Sequence, residues 1–183
     1  MIIMNPIMIQ RRPATYLGPS QVAAVLGKDP FMESRLLKER MEQGYLQEET
    51  AALKRGRRYE KTILSLYSDQ TGLVPLQARF VTDPHTPRFG GIADALLIGG
   101  GIEVKCSGGQ PQVYETYRIQ AVCYMFLYRR SWWDIVVCNP EVSSTLIIER
   151  IHWRDYVDRW HNEWYPLIKE FINNVQWARP LRG

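Results

Sequence analysis

Three residues near the middle of the chain carry side chains that could together bind a divalent cation. Asp94, Glu103 and Lys105 offer two carboxylates and one ammonium group. Carboxylate oxygens are ligands that Mg²⁺ prefers, and a neighbouring lysine can stabilise charge that develops during a reaction. The alternative is a salt bridge at a strand end, which is the commoner reason for an isolated Glu-x-Lys pattern. The choice depends on whether the fold brings the three side chains together.

A tight hairpin would bring them together. Gly99–Gly101 separates two apolar runs, and consecutive glycines favour a short turn between antiparallel strands. With the first two of these glycines as the turn, we expect Asp94 to pair with Lys105 and to lie diagonal to Glu103. Because side chains alternate along a strand, all three then lie on one face of the sheet.

A basic helical segment could add a third carboxylate. Glu60 lies in the run 54–61, with Gly56 one turn before it on the same helix face. A glycine at that place lets a backbone or a ligand approach closely. The arginines of the run are candidates for binding a polyanion, and the alternative is a solvated helix face; they are Arg55, Arg57 and Arg58.

A polar group could also come from the helix predicted after the hairpin. Tyr117, Gln120 and Tyr124 fall on one side of that helix and offer polar atoms beside the sheet. The alternative interpretation of this stripe is core packing.

Taken in order, these motifs resemble the PD-(D/E)xK nuclease core, and more narrowly the lambda-exonuclease/YqaJ type of viral recombination nuclease. The resemblance rests on Gly56-x-x-x-Glu60, Gly91-x-x-Asp94, Glu103-Val104-Lys105 and Tyr117-x-x-Gln120-x-x-x-Tyr124. The opening segment 17–27 resembles the N-terminal motif of that branch, so the match runs from about Arg11 to the final helix. Two departures are Ala93, where the family has proline, and a somewhat short chain.

The resemblance implies a Mg²⁺ site, with Mn²⁺ as a substitute and one or two ions bound. Its ligands would be Asp94, Glu103, the Val104 carbonyl and, through water or a second ion, Glu60. Lys105 would orient or help deprotonate the attacking water and stabilise developing charge. Gln120 would position the nucleophile or the lysine.

The resemblance further implies a pocket for a 5′-terminal phosphate. Ser20 suits this role independently, because we expect it to cap a short helix whose free N–H groups attract anions. A plain helix cap explains Ser20 equally well. Arg12 is the expected partner, and Arg11 or Lys28 could replace it.

Composition agrees with a binding partner that is a polyanion. The chain has 183 residues, 45% of them apolar, and its net charge of +4 lies entirely within the first 61 residues. No apolar run approaches the roughly 20 residues that span a bilayer. The three cysteines lack Cys-x-x-Cys spacing, which argues against a disulfide framework, structural zinc or an iron–sulfur cluster.

Around these motifs the periodicity predicts a mixed α/β domain with a central sheet flanked by helices, and the resemblance implies that this is the restriction-endonuclease-like core. The predicted helices span about 20–27, 31–43, 47–71, 113–128 and 153–177. The predicted strands span 74–81, 89–98, 102–106, 132–138 and 145–151. We expect a single domain over 1–183, with an N-terminal leader at 1–15, a helical DNA-handling part at 16–72 and a catalytic core at 73–183.

These expectations combine into one function: a Mg²⁺-dependent exonuclease that digests one strand from duplex DNA ends, 5′→3′, in phage or viral recombination. The alternatives are a structure-specific or restriction-like endonuclease on the same core and a non-catalytic DNA-binding module. The family implies a single-strand-annealing partner and allows a ring-shaped homo-oligomer. We expect no membrane partner and a location in the cytoplasm of the host cell.

Overall fold

In the computed structural model, which describes residues 16–43 and 50–177, three helices precede four strands, and a helix, two strands and two further helices follow. The helices are α1 (Val22–Val25), α2 (Ser34–Glu42), α3 (Ala51–Thr71), α4 (Glu115–Tyr128), α5 (Val157–Arg159) and α6 (Tyr165–Asn174). The strands are β1 (Val81–Asp83), β2 (Thr86–Gly91), β3 (Ala95–Leu97), β4 (Gly100–Cys106), β5 (Trp132–Cys138) and β6 (Ile147–His152). None of these helices is long and apolar enough to cross a bilayer.

The main sheet has the order β3-β4-β5-β6. Its central pair β4–β5 is parallel, with Glu103 beside Ile135, and the two outer pairs are antiparallel. Strands β1 and β2 form a separate two-stranded hairpin. The expected mixed sheet flanked by helices is therefore confirmed.

The two faces of the main sheet bury different side chains. The first face packs against α4, and α1 packs in turn on α4 and α6. The core on this side includes Ile119, Cys123, Trp133, Ile135, Trp160 and Ile168. The second face packs against α3, and its core includes Ile63, Tyr67, Ala95, Ile102, Val136 and Cys138. Because side chains alternate along β4, Glu103 and Lys105 lie on the α4 face, while Ile102 lies on the α3 face.

Four of the predicted strands differ from the observed bounds, two of them by only one or two residues at an end: β4 begins at Gly100, and β6 spans Ile147–His152. The other two differ more. Of the predicted strand 74–81, only Leu76 makes a bridge, to Leu96, and the hairpin strand starts at Val81. Pro75 cannot donate to a ladder, which shortens pairing there. The predicted strand 89–98 is two strands, since the chain leaves the sheet at residues 92–94 before β3 begins. The predicted turn at 82–87 shrinks to two residues, Pro84 and His85.

The β3–β4 turn lies one residue earlier than expected. Leu97 pairs with Gly100, so Ile98 and Gly99 form the turn, and Gly99 has the positive φ of 79°. Gly100 and Gly101 are glycines for another reason: a Cβ there would lie 2.4 and 2.3 Å from the Trp132 and Trp133 rings. The shift moves each pairing by two residues, so the side chains of β3 and β4 keep their predicted faces. The predicted pairing of Asp94 with Lys105 is wrong, because Asp94 precedes β3 and pairs with no strand residue.

Several helix ends also differ from the prediction. The first helical turn is capped by Gly18, whose N–H donates to the Gln21 side chain at 2.8 Å, so Ser20 is not the cap. Helix α2 begins at Ser34 rather than residue 31. Helix α3 begins after Thr50, whose hydroxyl accepts from Leu53 N–H, and ends at the predicted Gly72. The predicted leader 1–15 and residues 47–49 lie outside the described residues.

The C-terminal helical segment is less regular than its apolar stripe predicts. A 3₁₀ turn (Trp153–Asp155) precedes α5, and a π-helical turn (Trp160–Trp164) joins α5 to α6. Helix α6 ends at Asn174, three residues before the predicted end. Aromatic contacts such as the Phe126–Trp160 pair, with ring centroids 4.7 Å apart, hold this segment against α4.

Candidate active site

The three residues of the predicted cluster lie together at one place on the sheet. Lys105 Nζ lies 2.7 Å from Glu103 Oε1, and Asp94 Oδ2 accepts a hydrogen bond from the Val104 N–H at 2.7 Å. Glu103 is 2% exposed, so its carboxylate has almost no contact with solvent. The E-x-K pair of β4 and the acid that precedes β3 therefore share one site.

Helix α4 supplies the polar group that the sequence predicts beside the sheet. Lys105 Nζ donates to Gln120 Oε1 at 2.8 Å and lies 5.1 Å from the centre of the Tyr117 ring. Gln120 thus contacts the lysine. The resemblance implied that Gln120 would position either the nucleophile or this lysine. The ammonium is held from three sides, by Glu103, Gln120 and Tyr117.

The carboxylates of the site are destabilised as anions. Burial raises the pKa of Glu103 to about 8, and the charge of Asp94 adds to this effect, while Lys105 opposes it. Burial and the charge of Asp94 likewise raise the pKa of Glu60 to about 7, which brings α3 into the same electrostatic cluster. Burial also raises the pKa of Asp94, against the opposing effects of Lys105 and the Val104 N–H. A cation among these groups would relieve both the burial and the mutual repulsion.

The cluster fits a hard divalent cation. Glu103 Oε2 is buried and has no hydrogen-bond partner among the described residues, although its other oxygen is paired with Lys105. In the described part of the chain, no three His, Cys, Asp or Glu side chains already form a metal cage. Mg²⁺ does not require one, because it usually keeps several waters and binds through one or two carboxylates and substrate phosphate. Asp94 and Glu103 meet that requirement.

Two tyrosines of α4 hold the segment that carries Asp94. The Tyr124 hydroxyl donates to the Ile92 carbonyl at 2.7 Å, and the Tyr128 hydroxyl accepts from the Ala93 N–H at 3.2 Å. These bonds take the place of strand-pairing hydrogen bonds, which the segment 92–94 between β2 and β3 does not make. Sequence reasoning placed Tyr124 beside the sheet but missed Tyr128, although the spacing of four residues puts both hydroxyls on one helix face.

The N-terminal motif packs directly behind this segment. The Leu17 N–H donates to the Arg88 carbonyl at 2.8 Å, which aligns the motif with β2. A Cβ on Gly91 would lie 2.7 Å from the Pro19 ring, so glycine is required where the motif meets the strand. Part of the motif therefore has a packing role that supports the approach to Asp94.

The basic run of α3 divides into two environments. Arg57 and Arg58 are exposed, and the Arg58 guanidinium lies over the Tyr59 ring at 5.1 Å. Arg55 is half-buried instead and packs so closely on Gly108 that a Cβ there would lie 2.5 Å from its guanidinium. Gly56 has open space around its Cβ position, which leaves room for a ligand one turn before Glu60.

The residues predicted for a 5′-phosphate pocket are only partly described. Ser20 is exposed in the first helical turn, and Lys28 lies 3.6 Å from Glu115 at the start of α4. Arg11 and Arg12 lie outside the described residues. The phosphate pocket therefore stays a prediction.

Comparisons with solved structures identify close matches in fold. The crystal structure of LHK-Exo in complex with dAMP matches with a TM-score of 0.74 and 21% identity, over 90% of this chain and 89% of that one. The alkaline exonuclease LHK-Exo from Laribacter hongkongensis matches with a TM-score of 0.72 and 21% identity, over 90% and 91% of the two chains. A phage-related exonuclease from Haemophilus somnus 129PT matches with a TM-score of 0.65 and 14% identity, over 86% and 93%. The chain thus has the restriction-endonuclease-like fold expected from its motifs.

Sequence comparison supplies the family. A search of curated proteins finds no match. The model of the YqaJ-like viral recombinase domain matches residues 9–126, which is more than half of the chain and includes Glu60, Asp94, Glu103, Lys105 and Gln120. The match extends almost to the end of α4, and the chain belongs to the family of YqaJ-like viral recombinase domains.

Proposed function

We propose that this protein is a Mg²⁺-dependent exonuclease that degrades one strand of duplex DNA from its 5′ end. The observation that carries the proposal is the buried Glu103 carboxylate beside Asp94 and Lys105, one oxygen of which has no hydrogen-bond partner among the described residues. A structural ion pair would satisfy both oxygens, because an unpaired buried charge is costly. An open ligand position among acids and a lysine favours metal-assisted hydrolysis.

In this proposal Asp94 and Glu103 hold the ion, with the Val104 carbonyl and Glu60 completing the set. A bound Mg²⁺ supplies a positive charge that polarises a phosphoryl oxygen and acidifies a water molecule. Lys105 presents its ammonium at the same point and stabilises negative charge that develops on the phosphate. Gln120 accepts a hydrogen bond from Lys105 and so fixes the direction of that ammonium. Mn²⁺ should substitute, since it also accepts carboxylate ligands.

DNA would approach from the side of α3. Arg57 and Arg58 are exposed on that helix, and the open space beside Gly56 lets a backbone come near Glu60. Basic side chains on an exposed helix supply contacts to phosphate that do not depend on sequence. The exonucleases of similar fold support DNA as the substrate.

The direction of digestion depends on recognition of the 5′-phosphate. Ser20 and Arg12 are the proposed pocket, with Arg11 or Lys28 as the other basic candidates. A charge-assisted contact to the terminal phosphate should change affinity or rate by about 10- to 150-fold.

The family of viral recombinase domains favours a role in phage DNA recombination in the host cytoplasm, with a single-strand-annealing protein as partner. A ring-shaped homo-oligomer would keep such an enzyme on its DNA.

Three substrates test this function with the purified protein and Mg²⁺. Linear duplex with 5′-phosphate ends should be degraded faster than the same duplex with 5′-hydroxyl ends, and closed circular DNA should survive. Chelation of the metal should stop degradation. Replacement of Arg12 by alanine should remove the phosphate preference and leave metal-dependent cleavage.

The outcomes separate the rival functions. Rapid cutting of closed circles by the wild-type protein would replace the exonuclease with an endonuclease and would leave the metal site in place. Tight DNA binding without any metal-dependent cleavage would identify a binding module. The variant Glu103→Gln is the control for contaminating nucleases, because it should bind DNA and cleave none.

A further inference from the structure

Two cavities open on a part of the surface that the proposed catalysis does not use. They lie on either side of the β1–β2 turn, have volumes of about 520 and 400 Å³, and share His85 as a wall. None of the residues of the candidate active site lines either cavity. Helix α4 connects the two regions, since nine residues separate Gln120 from Arg129, about 14 Å along the helix.

The first cavity has two arginines that lack an ionic partner in the described part of the chain. Arg129 and Arg130 both line it, and Arg130 Nε is buried without a hydrogen-bond partner. The carboxylate in the lining, Asp83, is 3% exposed and accepts hydrogen bonds from the Tyr165 hydroxyl and the His85 N–H. The arginine charges therefore remain available to an anion from outside.

The second cavity is also lined by basic side chains, and aromatic side chains line both cavities. Arg88 and Lys169 line the second cavity, where the Arg88 guanidinium lies 4.7 Å from the centre of the Trp177 ring. Phe126 and Trp153 line the first. We call this surface the basic face; it consists of His85, Arg88, Phe126, Arg129, Arg130, Trp153, Lys169 and Trp177.

We propose that the basic face binds single-stranded nucleic acid. Proteins that bind single strands combine a positive groove for the backbone with aromatic rings on which bases stack. Separate cavities divided by a turn suit the splayed bases of a single strand better than the continuous rod of a duplex. An acidic peptide would satisfy the arginines but would not need the aromatic walls. The proposal rests on the proposed function only for the origin of the strand, which would be the one that exonuclease digestion leaves.

The first test measures binding without metal, so that cleavage plays no part. Fluorescence anisotropy follows a labelled oligothymidylate of about 20 nucleotides at several salt concentrations in the presence of a chelator. The double variant Arg129→Asn, Arg130→Ala should bind at least 10-fold more weakly at low salt. Its salt dependence should be shallower by about 1.4 in slope, since each lost phosphate contact removes roughly 0.7.

The variants are chosen to keep the fold. Arg129 has a φ of 54°, the left-handed conformation that asparagine adopts readily at a helix end, so Arg129→Asn preserves the end of α4. Arg154→Ala is the matched control, because Arg154 is an exposed arginine beside Asp155 that lines neither cavity. This control should bind the oligonucleotide with unchanged affinity.

Hydrogen exchange of the wild-type protein locates the bound strand independently of any variant. The oligonucleotide should protect the segments 82–88 and 126–131. Protection confined to α3 and β4, or an equal affinity of the double variant and the Arg154→Ala control, would overturn the proposal. Displacement of the oligonucleotide by equimolar polyglutamate, with protection of the same segments, would also overturn it and would identify a docking surface for acidic protein. A failure of metal-dependent cleavage would affect only the proposed function, because these measurements contain no metal.

Discussion

Two buried carboxylates on neighbouring strands have opposite surroundings. Asp134 on β5 is 1% exposed and Glu103 on β4 is 2% exposed, and they lie on opposite faces of the sheet. Asp134 accepts from Arg150 at 2.8 Å on each oxygen, and the Tyr67 hydroxyl donates to it at 2.6 Å. Glu103 has Lys105 on one oxygen and no partner among the described residues on the other.

The difference separates a carboxylate that stabilises the fold from one that is available for chemistry. Asp134 connects α3 to β5 and β6, and its bidentate arginine also packs over the Trp132 ring at 3.8 Å. Glu103 instead lies beside Asp94 and Glu60, whose charges oppose its own ionisation. A buried polar atom without a partner costs free energy, and such a cost is common where a site is built to bind a ligand.

The largest effect should come from Glu103→Gln, which changes the charge and keeps the shape. We expect metal-dependent cleavage to fall by at least about 10³-fold, because the proposed ion would lose a ligand. The free energy of unfolding in metal-free buffer should stay equal or rise, since a desolvated charge is removed. Single-turnover cleavage and thermal unfolding measure the two quantities. A stability loss with normal cleavage would make Glu103 structural, like Asp134.

The next largest effect should come from Lys105→Ala. We expect turnover to fall by about 10²- to 10³-fold while DNA binding is kept, because the ammonium acts on charge that develops in the transition state. Calorimetry with Mg²⁺ should still detect uptake of the ion. An unchanged single-turnover rate would show that Lys105 only neutralises Glu103.

Asp134→Asn tests the other side of the comparison. We expect the free energy of unfolding to fall by about 1–3 kcal/mol, since the amide cannot accept all the hydrogen bonds of Arg150 and Tyr67. Cleavage per folded molecule should remain within a few-fold of the wild type. Chemical denaturation gives the stability, and a cleavage rate corrected for the folded fraction gives the activity. Loss of cleavage without loss of stability would remove the distinction between the two carboxylates.

The smallest effect should come from Tyr128→Phe, which removes the acceptor for the Ala93 N–H. We expect about 1 kcal/mol lower stability and a few-fold lower kcat, because the segment before Asp94 loses one of its anchors. Tyr156→Phe is a matched control, since Tyr156 packs on Trp164 and makes none of these hydrogen bonds to residues 92–94. A kcat equal to that of the control would confine Tyr128 to packing.

Much of the fold follows from periodicity. Strand β5 matches its predicted bounds, and the helix end at Gly72 was predicted from a glycine that takes a left-handed φ of 71°. The irregular segment 92–94 was not predictable, because the tyrosines that accept and donate its hydrogen bonds lie more than 30 residues away. The turn at Ile98-Gly99 was missed because only one of the three glycines lies in the turn. The other two are glycines because a Cβ there would clash with the Trp132 and Trp133 rings.

The sequence by itself determined that Glu103 and Lys105 share one sheet face and that a hairpin brings Asp94 close to them. Strict alternation along a strand preserves that face even when the turn moves by one residue. Only the tertiary structure decided which buried carboxylate has both oxygens satisfied, because Tyr67, Gln120 and Arg150 come from distant elements. The sequence therefore names the residues that could do chemistry, and packing between elements determines which of them keep an open ligand position.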